Sequence, residues 1–467
     1  MAGTDPRTAF VLAGGGFKGA FELGALDHLV NTLGILPHVI TSASAGSILG
    51  LVLSQARTPA EFSARLSDAR DDLLAMTRTD LVFGEQAWLT ELDQTTAADA
   101  IRRLITERTT PELPGGNPDP DAPSEPRPEG HRWQQACDRW SEMAAVARQL
   151  PAATRAHKER GHPGTSVLNL DPFEAAIRGR TDSGIAVVHP ELVDRPGLDL
   201  RMAVTAVKAR ETHYVCADGT LVGPDARTPV PDATDATGFD VIDGAIASSS
   251  VPGVFPPRLL GADTYVDGGC LQNIPLAAAV TLAPDRIFTV IAVPVSEPHR
   301  SASLWAAQEL GFLSTQVENL ATPLPAGTTN TVIEPTLEVV GSFEVHPGLM
   351  LIDIDYGRMR AEEALADLDD GARRIITEVS DTITLERDRA WHLEQTCIED
   401  GSATPARVTA LRDLKRSVRS AVRARVALGY PEPPGARMWF EGYELHSGTL
   451  PEGLPESFDE PDTDPAG

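Results

Sequence analysis

No stretch of this sequence approaches the roughly 18 consecutive apolar residues of a membrane-spanning helix, which rules out an integral membrane protein. Cysteine is scarce. The four present, Cys137, Cys216, Cys270 and Cys397, are too scattered for a disulfide framework or a C-x-x-C zinc site, so a reducing compartment is the simpler reading. Basic residues are outnumbered, 40 against 67 acidic ones, and a net charge of −27 repels a phosphate backbone. Nucleic acid is therefore not an expected partner. Met1 to Arg7 carries a proline and an acid, and the apolar run Ala9 to Ala13 breaks into glycines without a small-residue cleavage site. No secretory signal is read there, and a cytoplasmic location is expected. Aromatic residues make up only 5% of the 467, yet hydrophobic residues reach 42%, enough to bury a sizeable core. Either one large α/β domain with insertions or roughly three smaller units fits that length.

What is present falls into alternating segments. Leu198 to Val207 has strand-like alternation, Phe239 to Ile242 and Thr264 to Val266 are shorter strand candidates, and Ile287 to Val295 is the longest apolar β-rich run. These interleave with helical stretches such as Ala20 to Leu33 and Gly46 to Leu53, which argues for a largely parallel sheet covered on both faces. Pro111 to Gly130 holds seven prolines and five acids against one arginine, the composition of a disordered linker. After it, Trp133, Cys137, Trp140, Ala144 and Ala147 recur at helical spacing, so an amphipathic helix is expected inside an insertion spanning 85–165. From Pro405 to Leu428, Val408, Leu411, Leu414, Val418, Val422 and Val426 share one helical face. Seven basic residues accompany them: Arg407, Arg412, Lys415, Arg416, Arg419, Arg423 and Arg425. Such a helix either docks on the acidic body or an anionic lipid surface, or is a packed helix with a solvated basic face, the reading its apolar spacing favours. Residues 451–467, with six acids and no Lys or Arg, read as an unstructured tail.

Three short segments carry chemistry. The first, Phe10 to Gly19, is an apolar strand running into Gly14-Gly15-Gly16-Phe17-Lys18-Gly19 and then a helix, leaving backbone N–H groups free for negative charge. It satisfies G-x-G-x-x-G, but the acid a dinucleotide site needs about 20 residues on is missing, and a turn that is glycine-rich only for packing also fits. The second is a strand, His38 to Thr41, ending in Ser42-Ala43-Ser44-Ala45-Gly46. Small residues at Ser42 and Gly46 suit a sharp strand-to-helix turn that presents Ser44, although an ordinary helix start with Ser42 or Ser44 as N-cap fits as well. The third, Tyr265-Val266-Asp267-Gly268-Gly269, ends a strand in an acid followed by two glycines. Asp243-Gly244 competes with it, and spacing alone does not rank the two.

Together the three segments resemble the patatin-like phospholipases, whose glycine loop, serine elbow and Asp-Gly-Gly or Asp-Gly-Ala motif occur in this order. The likeness extends to Ala245 to Pro257, which is similar to the family's small-residue helix and Phe-Pro-Pro turn, and that context selects Asp267 over Asp243. It covers roughly residues 8–84 and 166–380. The resemblance implies a three-layer α/β/α fold with a mostly parallel central sheet. Its catalytic domain would be discontinuous, 1–84 and 166–385, with the insertion 85–165, a helical extension 386–450 and the tail 451–467.

By the same resemblance Ser44 is the nucleophile and Asp267 its base, Gly14, Gly15 and Gly16 form the oxyanion hole, and Lys18, Gly19, Ser42, Gly46, Gly268 and Gly269 support the motifs. The implied activity is hydrolysis of a phospholipid or other lipid ester through an acyl-enzyme. Outside the resemblance, the basic residues of 405–428 are what would bring the acidic chain to an anionic membrane surface, and peripheral contact is expected there. No cofactor or metal is implied, since the acid-rich Asn117 to Glu125 lacks the glycine and spacing of a calcium loop. Lys18 stands where the family more often has arginine, which alters its grip on a phosphate. Ser42 replaces the elbow's first glycine. Two other readings remain: a Ser-Asp-His triad using His299, His346, His392 or His446, of which His346 is the most suggestive, and a catalytically silent scaffold.

Overall fold

The computed structural model of the chain describes residues 6–76, 82–86, 166–231, 238–294, 316 and 318–458. The expected linker 111–130 and the Trp133 and Trp140 helix lie outside these residues. The strands are β1 (Thr8–Leu12), β2 (Val39–Ala43), β3 (Gly84–Glu85), β4 (Leu168–Asn169), β5 (Asp199–Ala206), β6 (Glu211–Cys216), β7 (Leu221–Val222), β8 (Arg258–Leu260), β9 (Asp263–Asp267), β10 (Arg286–Val290) and β11 (Thr329–Ile333). The main helices are α1 (Gly19–Asp27), α2 (Ala45–Leu53), α3 (Pro59–Ala75), α4 (Asp171–Ile177), α5 (Val241–Ser248), α6 (Leu276–Thr281), α7 (Pro347–Ala364), α8 (Asp370–Asp400) and α9 (Pro405–Ala427).

Hydrophobic alternation decides the layering. Phe10 and Leu12 of β1 and Ile40 of β2 point into the larger core with α1 and α7, whereas Ala9, Val11 and Val39 point into a second core with Ile274, Leu276 and Ala279. A sheet buried on both faces results, with the order β11-β10-β1-β2-β5-β6-β7. β11, β10, β1, β2 and β5 run parallel, and β6, β7, β8 and β9 extend the sheet antiparallel. The α/β class with a mostly parallel sheet is thus present. On one face α1 crosses α7 so closely that a Cβ on Gly24 would overlap the Ile354 carbonyl, and one on Gly357 would overlap that of Phe21.

β5 organises the site. Its first half pairs with β2, placing Ala43 opposite Ala203, and its second half pairs antiparallel with β9, placing Asp267 opposite Val204. Consecutive residues of one strand therefore bring together the ends of two strands far apart in sequence. The segments before and after 87–165 also meet, because β3 pairs with β4.

Several boundaries differ from the sequence reading. Phe239 to Ile242 is not a strand: Asp240 accepts the Asp243 N–H at 3.0 Å and Asp243 accepts that of Asp240 at 2.9 Å, a capping box that starts α5. The apolar run from Ile287 leaves the strand after Val290. The boundary expected at 385/386 falls inside α8, which runs unbroken for 31 residues and packs along α9. In α9, Leu411, Val418 and Val422 are buried as the spacing demands, but Val426 is exposed. Three of the seven basic residues lie inside: Arg407 pairs with Asp400 at 2.7 Å, Lys415 with Glu394 at 2.9 Å, and Arg425 with Glu362 at 2.6 Å and Glu363 at 2.9 Å. The helix docks on acids of α7 and α8. The first part of the expected tail packs on the body, since Phe458 is buried against Leu411 and Tyr443, and 459–467 lie outside the described residues.

Candidate active site

At the end of β2 the chain turns into α2 with no loop. Ser44 sits at the turn with φ 50° and ψ −130°, a conformation that costs an L-residue on the order of 1–3 kcal/mol. That conformation belongs to a strained elbow; a helix N-cap has extended backbone, and no side-chain cap is made here. The turn is tight. A Cβ on Gly46 would lie 2.5 Å from the Ala13 carbonyl oxygen, so glycine is required there. Ser42 is fully buried, and its hydroxyl is satisfied there by accepting from Ser47 Oγ at 3.2 Å.

Ser44 Oγ donates to Asp267 Oδ2 at 2.7 Å. The second carboxyl oxygen, Oδ1, accepts the Gly269 N–H at 2.7 Å, and a Cβ on Gly268 would overlap the Ala203 carbonyl. Gly268 therefore lets the carboxyl-bearing loop lie flat on β5, and a Cβ on Gly269 would press on the Asn273 and Asp267 side chains. Asp267 has no exposed surface, and burial pushes its pKa up to about 7, while the hydrogen bonds from Ser44 and Gly269 pull the other way. Asp243 has a different place. It caps α5 and pairs with Arg178 at 2.6 Å.

The glycine loop passes over Ser44, and a Cβ on Gly14 would lie 2.7 Å from Ser44 Cβ. Gly14 donates its own N–H to the Asn273 carbonyl at 3.2 Å, so it is not available as an oxyanion donor as the sequence suggested. For the N–H groups of Gly15 and Gly16 no acceptor is found among the described residues. Lys18 is buried, 3% exposed, with its ammonium 3.0 Å from Glu338 Oε1 rather than presented to a head group in solvent. Gly19 opens α1 with nothing within 4 Å of an added Cβ, so no steric demand for glycine exists there. The loop's approach to β1 is fixed by the Ala13 N–H, which reaches buried Glu22 Oε1 at 2.7 Å; desolvation raises that carboxyl's pKa well above its ordinary value.

Ser44, Asp267 and Gly14 to Gly16 open into a cavity of about 290 Å³. Ile48, Leu49 and Val52 of α2, Leu73 of α3 and Met76 just after it supply much of its apolar wall. Phe83, Phe255 and Phe343 form a triangle of rings, with centroids 5.4, 5.9 and 6.1 Å apart. Among the described residues no histidine lines this cavity. His346 pairs with Glu344 at 3.5 Å and lies beside the Trp391 ring, His392 and His446 also flank Trp391, and His299 is outside the described residues. No group of three or more His, Cys, Asp or Glu among the described residues could hold a metal. No described helix is long and apolar enough to cross a membrane.

Sequence reasoning gave no role to Ser248, Ser249 or Asn273. Ser248 Oγ accepts the Ser44 N–H and Ser249 Oγ donates to the Ser44 carbonyl, both at 3.0 Å. Asn273 holds Gly14 from both sides, its Nδ2 donating to the Gly14 carbonyl at 3.3 Å. The run of three serines before Val251 and the asparagine six residues after Asp267 were the available signals.

The fold and this constellation define an α/β protein with a serine at a strand-to-helix elbow, a buried carboxyl in contact with it and an apolar cavity above. The sequence model described as patatin-like phospholipase matches residues 10–280, more than half of the chain, and the chain belongs to that family. Membership supports lipid hydrolysis as its activity. No curated protein matches it. Among solved structures it is similar to VipD from Legionella pneumophila, 12% identical with a TM-score of 0.28 over 91% of this chain and 85% of that one. It is also similar to the type III effector ExoU, 13% identical with a TM-score of 0.22 over 93% and 72%. In its complex with SpcU, ExoU from Pseudomonas aeruginosa aligns at 18% identity with a TM-score of 0.22 over 93% and 70%.

Proposed function

We propose that the protein is a serine acyl hydrolase that cleaves lipid esters, with Ser44 as nucleophile and Asp267 as its base. The observation that carries this reading is the 2.7 Å hydrogen bond from Ser44 Oγ to a fully buried carboxyl whose pKa lies near 7. Serine attacks poorly at its free pKa, so Asp267 takes the proton as Oγ adds to the acyl carbonyl. The N–H groups of Gly15 and Gly16 then face the developing oxyanion, an arrangement in which one lost donor typically costs about 10² to 10³ in rate. The leaving alcohol takes the proton from Asp267, and water, activated by the same carboxylate, hydrolyses the acyl-enzyme. An apolar wall of Ile48, Leu49 and Val52 suits the acyl chain.

Access to a lipid surface belongs to the same proposal. With Arg407, Lys415 and Arg425 turned inward, the exposed basic residues of α9 are Arg412, Arg416 and Arg423, at the i, i+4 and i+11 spacing of one stripe, while Arg419 between them is half-buried with its guanidinium 4.8 Å from the Phe440 ring centroid. That stripe is the part of 405–428 suited to anionic lipid.

The test is a panel of phospholipids and simple acyl esters with wild type, Ser44→Ala and Asp267→Asn, together with labelling by a fluorescent phosphonate. Loss of hydrolysis in both variants and of labelling in Ser44→Ala is expected. Hydrolysis that survives in Ser44→Ala would end the proposal.

A further inference from the structure

Three consecutive residues at the end of α5 reach both members of the Ser44 and Asp267 pair. Ser248 Oγ accepts the Ser44 N–H at 3.0 Å, and Ser249 Oγ donates to the Ser44 carbonyl at 3.0 Å, sharing its proton with the Ala245 carbonyl at the same distance. On the other side, the Ser250 carbonyl accepts the Asp267 N–H at 2.9 Å and the Ser248 carbonyl accepts that of Gly268 at 3.2 Å. The clip is itself tied to the sheet, because Ser248 Oγ donates to the Ala203 carbonyl at 2.6 Å, and Ala203 is the β5 residue opposite Ala43.

We infer that residues 248–250 set the separation of Ser44 Oγ from the Asp267 carboxyl and hold Ser44 at its positive φ, with the Ser248 and Ser249 hydroxyls as positioning residues. This deepens the serine hydrolase reading and rests on it. The physical reason lies in the elbow's strain. A residue at φ 50° relaxes toward negative φ unless its peptide groups are held, and here both the N–H and the carbonyl of Ser44 are held by adjacent hydroxyls. Pairing of β5 with β2 and β9 brings the two strand ends near each other but leaves the last ångström open, since Ser44 lies one residue beyond β2. Neither hydroxyl bonds Ser44 Oγ or the Asp267 carboxyl, so both act through the backbone.

The experiment compares Ser248→Ala, Ser249→Ala and Ser249→Thr with wild type on a soluble p-nitrophenyl ester, measuring kcat, KM and the pH profile of kcat/KM. Each alanine variant is expected to lower kcat about 10- to 100-fold with KM little changed, the cost of a sub-ångström misplacement. Its acidic limb should also move to higher pH, because the Ser44 hydrogen bond that lowers the Asp267 pKa is weakened. Ser249→Thr, which keeps the hydroxyl, should restore both. Ser54→Ala removes a comparable buried hydroxyl, bonded to the Gly50 carbonyl at 2.7 Å far along α2, and should lower the melting temperature without moving kcat or the limb. Should buried Ser248→Ala not fold, the partly exposed Ser249→Ala and its threonine rescue decide alone. Wild-type kcat and an unmoved limb in a folded Ser249→Ala would overturn the inference. If that happens while Ser44→Ala is inactive, only the clip fails; if Ser44→Ala is active, the hydrolase reading fails with it.

Discussion

Asn273 and Gly14 face each other across the site, joined by two hydrogen bonds, with the Asn273 Oδ1 atom packed where a Gly14 side chain would begin. The asparagine is fixed in turn, because the next residue, Ile274, donates its N–H to Asn319 Oδ1 at 3.1 Å. The glycine loop and the loop carrying Asp267 are thereby one unit. Gly14→Ala would drive a methyl group into both Asn273 and Ser44 Cβ, lifting the loop and its N–H groups away from the reacting carbonyl. A fall in kcat of about 10²-fold or more is expected, the size of losing an oxyanion donor, with a smaller fall for Asn273→Ala, which leaves the main-chain bond in place. Steady-state rates on a soluble ester check this; near-normal activity in Gly14→Ala would mean the loop does not serve the reaction.

The pH profile follows from the burial of Asp267. Its carboxyl must be ionised to accept the Ser44 proton, and burial places its pKa at about 7. The rate should therefore rise with pH through an acidic limb near 7, well above the ordinary carboxylate range. Measurement of kcat/KM from pH 5 to 9 on an uncharged ester reads the limb directly, and one below about 5 would place the base elsewhere.

The segments of the candidate site were legible because each carries a local demand that shows in composition. Gly46 and Gly268 are glycine because the carbonyls of Ala13, just past β1, and of Ala203 in β5 occupy the space of their side chains. Ser248, Ser249 and Asn273 act across the fold through contacts spanning 204, 205 and 259 positions, and no local pattern encodes such a distance. Asp240 misled the strand reading of Phe239 to Ile242, since its capping box with Asp243 overrides the apolar run. In α9 the apolar stripe was legible as far as Val422 but not at exposed Val426, and Arg407, Lys415 and Arg425 could not be separated from their exposed neighbours until the partners on α7 and α8 were known.

The basic stripe of α9 makes a prediction that truncation cannot test, because cutting before Pro405 would strip Glu394, Glu362 and Glu363 of their buried partners. Substitution on the outer face avoids this. Replacing Arg412 and Arg423 together with Glu should reduce binding to phosphatidylserine-containing vesicles more than tenfold at low salt, given about 1 kcal/mol per basic residue near an anionic surface. Hydrolysis of a soluble ester should be unchanged. Vesicle flotation with and without added salt measures the effect, and equal binding by the substituted protein would remove α9 as a lipid contact.

Asp267 and Asp243, which spacing alone does not rank, should separate by opposite responses to the same change. Asp243→Asn weakens the capping box of α5 and its ion pair with Arg178, so it should cost about 1 kcal/mol of stability and leave hydrolysis near normal. Asp267→Asn should abolish hydrolysis yet raise stability at alkaline pH. The sign follows from linkage: with a folded pKa of about 7 against an ordinary 3.8, the folded state favours the protonated carboxyl. That contribution is full below the unfolded value and lost as pH rises through 7. Asparagine carries no such loss. Thermal melts at pH 5 and pH 8 should therefore show a larger advantage of Asp267→Asn over wild type at pH 8 than at pH 5, and a difference independent of pH would show that Asp267 does not titrate near neutrality.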